Sequence, residues 1–122
     1  MEFDKDLKSI QEARSLAAKA KDAQQEYKHF NQAQVDKIVK AMADAAFKDA
    51  ERLAKMACEE TGFGKWQDKV IKNQFGSKNV YESIKDLKTV GVIDIRNNGK
   101  LLKIAEPMGV VAALIPSTNP TS

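Results

Sequence analysis

The spacing of apolar residues predicts that the chain begins with helices. In residues 4–28 the apolar positions recur at intervals of three, four or their multiples, with Lys, Glu and Gln between them: Leu7, Ile10, Ala13, Ala17, Ala20 and Tyr27. This spacing is typical of an amphipathic helix. Because alanine contributes little buried area, we expect the helix to need tertiary support.

A second and longer helix is predicted from Asn31 to Thr61. Asn31 followed by Gln34 resembles a capping box, and Gly62 is suited to a left-handed cap at the other end. The helix carries one apolar stripe: Val35, Ile38, Val39, Met42, Ala46, Leu53, Met56 and Ala57. This stripe recurs at about 100° per residue and is the clearest helical pattern in the chain.

A third helix is predicted over residues 65–87. Its main apolar side consists of Trp66, Val70, Val80, Tyr81, Ile84 and Leu87. Ile71 and Phe75 fall on the opposite side, so we expect this helix to be buried from two directions.

The apolar pattern then changes to the short runs that are typical of strands. Residues 90–95 and 101–104 are β-branched or aliphatic runs on either side of a polar segment. That segment contains Asn98-Gly99, the preferred pair for a type I′ turn, in which both central residues need a positive φ. The sequence therefore predicts a β-hairpin.

Residues 110–115 are apolar without alternation, which is typical of a strand covered on both faces in a parallel sheet. The polar, turn-rich residues 116–120 follow. Ligands of open α/β sheets bind at the carboxyl ends of strands, so this turn is a candidate site, although many such turns are only connectors. Thr121 and Ser122 are suited to cap a following helix.

Composition narrows the function. The 122 residues, 43% hydrophobic and 30% charged, correspond to one soluble domain or part of one, without an apolar run long enough to cross a membrane. The charged start lacks the features of a secretory signal, which favours a cytoplasmic location. The net charge of +3 is spread along the helices, a pattern that favours a solvated surface over a nucleic-acid footprint.

The residues that could carry chemistry are few. Cys58 is the only thiol, and it lies late in a helix beside two glutamates that oppose thiolate formation. His29 is the only imidazole and has no partner at a metal-ligand spacing, so we interpret it as a connecting residue. Gly62 and Gly64 do not follow a strand and open a helix, as a phosphate loop requires.

The carboxyl-terminal residues resemble a known family. Residues 105–122, AEPMGVVAALIPSTNPTS, resemble the segment of aldehyde dehydrogenases that leads into the nucleotide-binding sheet. The Glu-Pro-x-Gly-Val-Val part is shared across that superfamily, and Pro-Ser-Thr-Asn-Pro-Thr is similar to its coenzyme A-acylating branch. Residues 34–38, 53–57 and 68–73 also resemble that branch, especially the aldehyde half of bifunctional aldehyde-alcohol dehydrogenases.

The resemblance implies an NAD-dependent oxidoreductase. In such enzymes a cysteine thiolate attacks the aldehyde, hydride passes from the thiohemiacetal to NAD, and the thioester is transferred to coenzyme A. The implied substrates are an aldehyde, acetaldehyde being expected, and its acyl-CoA. The implied partners include neither nucleic acid nor membrane, and a homo-oligomer is expected.

The resemblance also assigns roles to individual residues. Ile115, Pro116, Ser117 and Thr118 match the strand end that lines the dinucleotide groove, through backbone and packing contacts. Asn119 is either a donor to the developing oxyanion or the start of an Asx-type turn before Pro120. The family's nucleophile lies far downstream and Cys58 does not match it, so we expect the 122 residues alone to be inactive.

We therefore expect an α/β fold: amino-terminal helices and a β-hairpin that lead into the first strand of a doubly wound NAD-binding domain. Within one aldehyde dehydrogenase domain over 1–122, residues 4–88 are assigned as helical and 89–105 as an oligomerisation hairpin. Residues 106–122 are assigned as the start of the nucleotide-binding sheet. The alternative is a non-catalytic helical interaction module, which would have to cover the apolar residues 110–115 itself.

Overall fold

A computed structural model describes residues 4–121, so residues 1–3 and the predicted cap residue Ser122 lie outside the described part. Within it the chain forms two compact units. One contains residues 4–31 and 89–112, and the other contains residues 32–88 and 113–121. The elements are helices followed by a two-stranded antiparallel sheet.

The first unit contains helix α1 and the hairpin. Helix α1 spans Lys5–Tyr27, within one residue of the predicted bounds at each end, and it buries none of its residues. Leu7 is 52% exposed and Ile10 is 48% exposed. An alanine-rich helix with so little coverage has little packing energy of its own, in agreement with the expected need for tertiary support.

Strands β1 (Gly91–Arg96) and β2 (Leu101–Ala105) confirm the predicted hairpin. Asn98 and Gly99 have φ values of 55° and 84°, and the Lys100 N–H donates to Asn97 O at 3.2 Å. These are the features of the predicted type I′ turn. The register shifts between Val92 and Asp94, where a bulge interrupts the pairing.

The second unit contains the remaining helices. The long helix predicted from Asn31 to Thr61 is two helices, α2 (Gln32–Lys48) and α3 (Ala50–Thr61). They meet at Asp49, whose backbone at φ −93° and ψ 4° leaves the helical region. Gly62 forms the predicted left-handed cap, with φ 69° and its N–H donating to Cys58 O.

The third predicted helix runs through three consecutive segments. Helix α4 (Trp66–Gln74) passes into a π-helical turn (Phe75–Asn79) and then into α5 (Val80–Ile84). The expected burial from two directions is wrong for this chain, because Ile71 is 67% exposed and Phe75 is 61% exposed. Both side chains are therefore mostly open to solvent.

The predicted strand at residues 110–115 does not form in the described chain, where residues 106–116 have no regular secondary structure. Leu114 is 98% exposed and Ile115 is 69% exposed. A parallel strand requires neighbouring strands, and the described sheet has only β1 and β2, which pair with each other. The exposure agrees with the expectation that the chain cannot cover this segment itself.

No helix within residues 4–121 combines the length and apolar character needed to span a membrane.

Candidate functional site

A stripe of buried polar residues lies on one face of α4 and the π-helical turn. Lys69, Asn73 and Ser77 follow each other at intervals of four residues, and they are only 8%, 5% and 8% exposed. Helix α4 packs against α3, whose buried residues are all alanines: Ala50, Ala54 and Ala57. The small alanine side chains let the helices approach closely, so each buried polar group needs a specific partner.

Lys69 finds its partner in the turn that the sequence singles out. Its Nζ donates to the main-chain oxygen of Thr118 at 2.9 Å. The ion pairs formed by residues 4–121 do not include Lys69. Its charge is therefore stabilised by a carbonyl dipole of the turn, in a charge-assisted hydrogen bond.

Asn73 connects the same turn to α3. Its Nδ2 donates to Ala50 O at 3.0 Å, and its Oδ1 accepts from Thr121 Oγ1 at 3.1 Å. Ser77 Oγ, in the π-helical turn, donates to the main-chain oxygen of Asn73 in α4 at 2.7 Å. Two buried side chains thus hold the turn on either side of Asn119 and Pro120.

The structure connects only part of the predicted site to these helices. Thr118 is bound through its carbonyl, whereas Ile115, Pro116, Ser117 and Asn119 are exposed and make no hydrogen bond to the described residues. Asn119 consequently keeps both its side-chain amide and its main-chain N–H available as donors. The assigned roles of these residues stay predictions.

Sequence reasoning placed Lys69 and Asn73 only within a stretch of family resemblance and gave neither a role. A signal for them does exist in the sequence. Polar residues spaced by four, as at 69, 73 and 77, lie in the helix that follows Ala50, Ala54 and Ala57, which share a similar spacing. A polar stripe that meets an alanine stripe favours buried hydrogen bonds between helices.

The other candidates carry little chemistry. Cys58 Sγ lies 3.5 Å from Phe63 O and 3.8 Å from Gly64 O, the two main-chain acceptors just after α3. Within the described residues no hydrogen bond joins Cys58 to residues 113–121. His29 is exposed, and residues 4–121 contain no cluster of side chains suited to hold a metal ion.

The titration shifts belong to exposed ion pairs of the helices. A hydrogen bond of 2.7 Å from Arg52 lowers the pKa of Asp49 at the junction of α2 and α3. Lys85 lowers the pKa of Glu82 in the same way. Such exposed pairs contribute little to stability, and they do not touch the buried stripe.

Comparison with known proteins identifies the family. The sequence profile of the aldehyde dehydrogenase family matches residues 6–121. The bifunctional aldehyde-alcohol dehydrogenase AdhE of Escherichia coli K12 is 46% identical over 114 residues, which cover 93% of this chain and 13% of that protein. The chain therefore spans about an eighth of the length of this relative.

Two crystal structures are also similar. A probable aldehyde dehydrogenase from Listeria monocytogenes EGD-e has a TM-score of 0.93 and 59% identity, over 97% of this chain and 26% of that one. An acetylating aldehyde dehydrogenase from Geobacillus thermoglucosidasius has a TM-score of 0.92 and 52% identity, over 96% of this chain and 26% of that one. The resemblance to the acylating branch is thereby confirmed, and the chain belongs to the aldehyde dehydrogenase family.

Proposed function

We propose that this chain is the amino-terminal part of an NAD-dependent, coenzyme A-acylating aldehyde dehydrogenase. The reaction converts an aldehyde, NAD⁺ and coenzyme A into acyl-CoA, NADH and a proton, through a thioester on a cysteine outside these residues. Acetaldehyde is the proposed substrate, and the cytoplasm is the proposed location. The observation that carries the proposal is the family match over residues 6–121 together with its acetylating relatives.

The turn at residues 115–118 has properties that suit one wall of a dinucleotide site. Ile115 offers an exposed apolar side chain, Pro116 a rigid backbone, and Ser117 and Thr118 hydroxyl groups. These groups fit packing and backbone contacts to a cofactor, with no charged group needed from the turn itself. When bound, NAD supplies the hydride acceptor, and the role of these residues is to orient it.

Asn119 is the proposed oxyanion donor. Its amide is exposed and makes no hydrogen bond to the described residues, so its donors are available to a substrate oxygen. A preorganised donor of this kind stabilises charge that develops on the aldehyde oxygen. Coenzyme A is the proposed acyl acceptor, and the turn supplies no thiol that could carry the acyl group.

The three segments are proposed to have the roles that the family implies. Residues 4–88 are proposed as the helical part, 89–105 as an oligomerisation hairpin, and 106–122 as the start of the nucleotide-binding sheet. The exposed edges of β1 and β2 offer unpaired backbone groups to a second copy. We therefore expect the complete enzyme to be at least a homodimer through the hairpin region, as size-exclusion chromatography with light scattering would detect.

The protein translated from the complete reading frame provides the test. We expect NADH formation at 340 nm with acetaldehyde that requires coenzyme A and yields acetyl-CoA by mass spectrometry. The 122-residue chain, assayed in parallel, should be inactive. Aldehyde oxidation to free acid without coenzyme A would refute the acylating assignment, and activity of the 122 residues that depends on Cys58 would refute the external nucleophile.

The alternative, a free-standing interaction module, is not favoured by the structure. Such a module would bury its own apolar segment, whereas residues 110–115 stay exposed. Leaving this much apolar surface in water costs roughly 25 cal/mol for each Å².

A further inference from the structure

We infer that Lys69 and Thr121 are positioning residues for cofactor binding: with Asn73 they fix the turn at residues 118–121, and thereby both the cofactor-facing residues 115–118, of which Thr118 is held directly, and the donors of Asn119. The inference rests on the proposed function, because it gives the turn its role. It concerns residues that touch neither cofactor nor substrate and act only through the turn.

The first step is the orientation of one peptide group. Lys69 holds the oxygen of Thr118 at 2.9 Å, and that oxygen belongs to the peptide group that contains the N–H of Asn119. The described residues contain no cis peptide bond. In a planar trans peptide the C=O and the N–H point in opposite directions. The N–H of Asn119 must therefore point away from Lys69 and from α4.

The second step is the other end of the turn. Thr121 Oγ1 donates to Asn73 Oδ1, and Asn73 Nδ2 in turn donates to the first residue of α3, Ala50. Asn73 is 5% exposed and Lys69 is 8% exposed, so both hold the turn from a buried position. A segment fixed at both ends has little freedom left in between, which is what a binding site needs from its supporting residues.

The third step is the presence of a lysine at position 69, where a neutral side chain would suffice for packing. The ammonium of Lys69 has no carboxylate partner among residues 4–121, and its resolved acceptor is the Thr118 carbonyl. Burying a charge with a carbonyl as its hydrogen-bond partner costs desolvation free energy, which a neutral side chain of similar size would not. The role that we assign to this hydrogen bond is to hold the turn in position for the cofactor.

The experiment measures the enzyme translated from the complete reading frame. Lys69→Met keeps an unbranched apolar side chain one atom shorter and removes the donor, and Thr121→Val keeps the shape and removes the hydroxyl. Lys72→Met is the control, because it removes the same charge from α4 while Lys72 makes no hydrogen bond to residues 113–121.

We expect Lys69→Met to raise KM for NAD by up to about tenfold, because the free energy of the lost charge-assisted hydrogen bond limits how far the turn is loosened. Thr121→Val should raise it about threefold, as for a neutral hydrogen bond. KM for coenzyme A should stay unchanged in both variants, and Lys72→Met should match the wild type. A merely structural role would lower the active fraction, and so kcat, without changing KM for NAD.

The outcomes are distinguishable. An active wild type whose Lys69→Met and Thr121→Val variants keep the normal KM for NAD overturns this inference alone. If Lys69→Met does not fold, Thr121→Val decides by the same criterion. A wild type without NAD-dependent acylating activity overturns the proposed function and this inference with it.

Discussion

Replacing Asn73 by alanine removes its two side-chain hydrogen bonds, one to α3 and one to the turn. Each such bond contributes about 1 kcal/mol to the free energy of unfolding, so Asn73→Ala should cost about 2 kcal/mol. Thr121→Val removes only the bond to the turn and should cost about 1 kcal/mol. Ala50 O is the acceptor that loses its side-chain donor in the first variant alone.

The double variant Asn73→Ala/Thr121→Val tests whether both single variants lose the same hydrogen bond. Because the Thr121 bond is already lost in Asn73→Ala, adding Thr121→Val should cost almost nothing more. The coupling energy is then about 1 kcal/mol. Asn79→Ala is the matched control, since Asn79 is exposed and its replacement should change stability by less than about 0.5 kcal/mol.

Urea unfolding, followed by far-UV circular dichroism, measures the free energies of unfolding of the wild type and the four variants from midpoints at constant m-value. Fully additive costs for Asn73→Ala and Thr121→Val would refute the contact between them. A cost of Asn73→Ala no greater than that of Asn79→Ala would refute the buried hydrogen bonds altogether.

Three further outcomes are expected. Ala54→Leu should lower the free energy of unfolding by about 1–3 kcal/mol, because Ala54 is 0% exposed and the larger side chain must displace its neighbours; unchanged thermal unfolding would contradict this packing. Arg52 lowers the pKa of Asp49 in the folded state, so the pair stabilises the protein above the ordinary Asp pKa and loses this effect as the pH falls through the lowered pKa. In melting curves between about pH 5 and about pH 2, the Asp49→Asn variant should therefore lose less stability than the wild type. Cys58→Ser should leave acylating turnover of the complete enzyme unchanged, and a loss of turnover at normal stability would make Cys58 a catalytic residue.

Local chemistry made the hairpin and the helix cap predictable. Asn98, Gly99 and Gly62 all adopt a positive φ, which Asn and Gly tolerate better than other residues. Their conformation can therefore be predicted from the sequence without knowledge of tertiary contacts. The break at Asp49 has no such signal, because Lys48-Asp49 is compatible with a continuing helix. The break between α2 and α3 can be recognised only in the structure, where α3 packs mainly on α4 and α2 packs mainly on the π-helical turn.

The candidate site also contains residues that the sequence predicts and residues that only the structure reveals. Residues 115–119 were found through family resemblance to a contiguous motif, which needs no knowledge of contacts. Lys69 is 49 residues distant from Thr118 in the sequence, so no local pattern can pair them. Lysine and asparagine in a helix also read as surface residues by default, and only the fold shows that these two are buried.

The exposed segment at residues 110–115 also has a consequence for how the protein behaves in solution. The segment is six residues long, carries no charge or proline, and has the β-branched and aliphatic composition that favours intermolecular strand pairing. Pro107 and Pro116 flank it, and proline cannot donate to a β-ladder, so both act as gatekeepers against self-association. We expect replacement of either proline to increase aggregation, both at the high concentrations of purification and during synthesis on the ribosome, because the segment is uncovered in both situations.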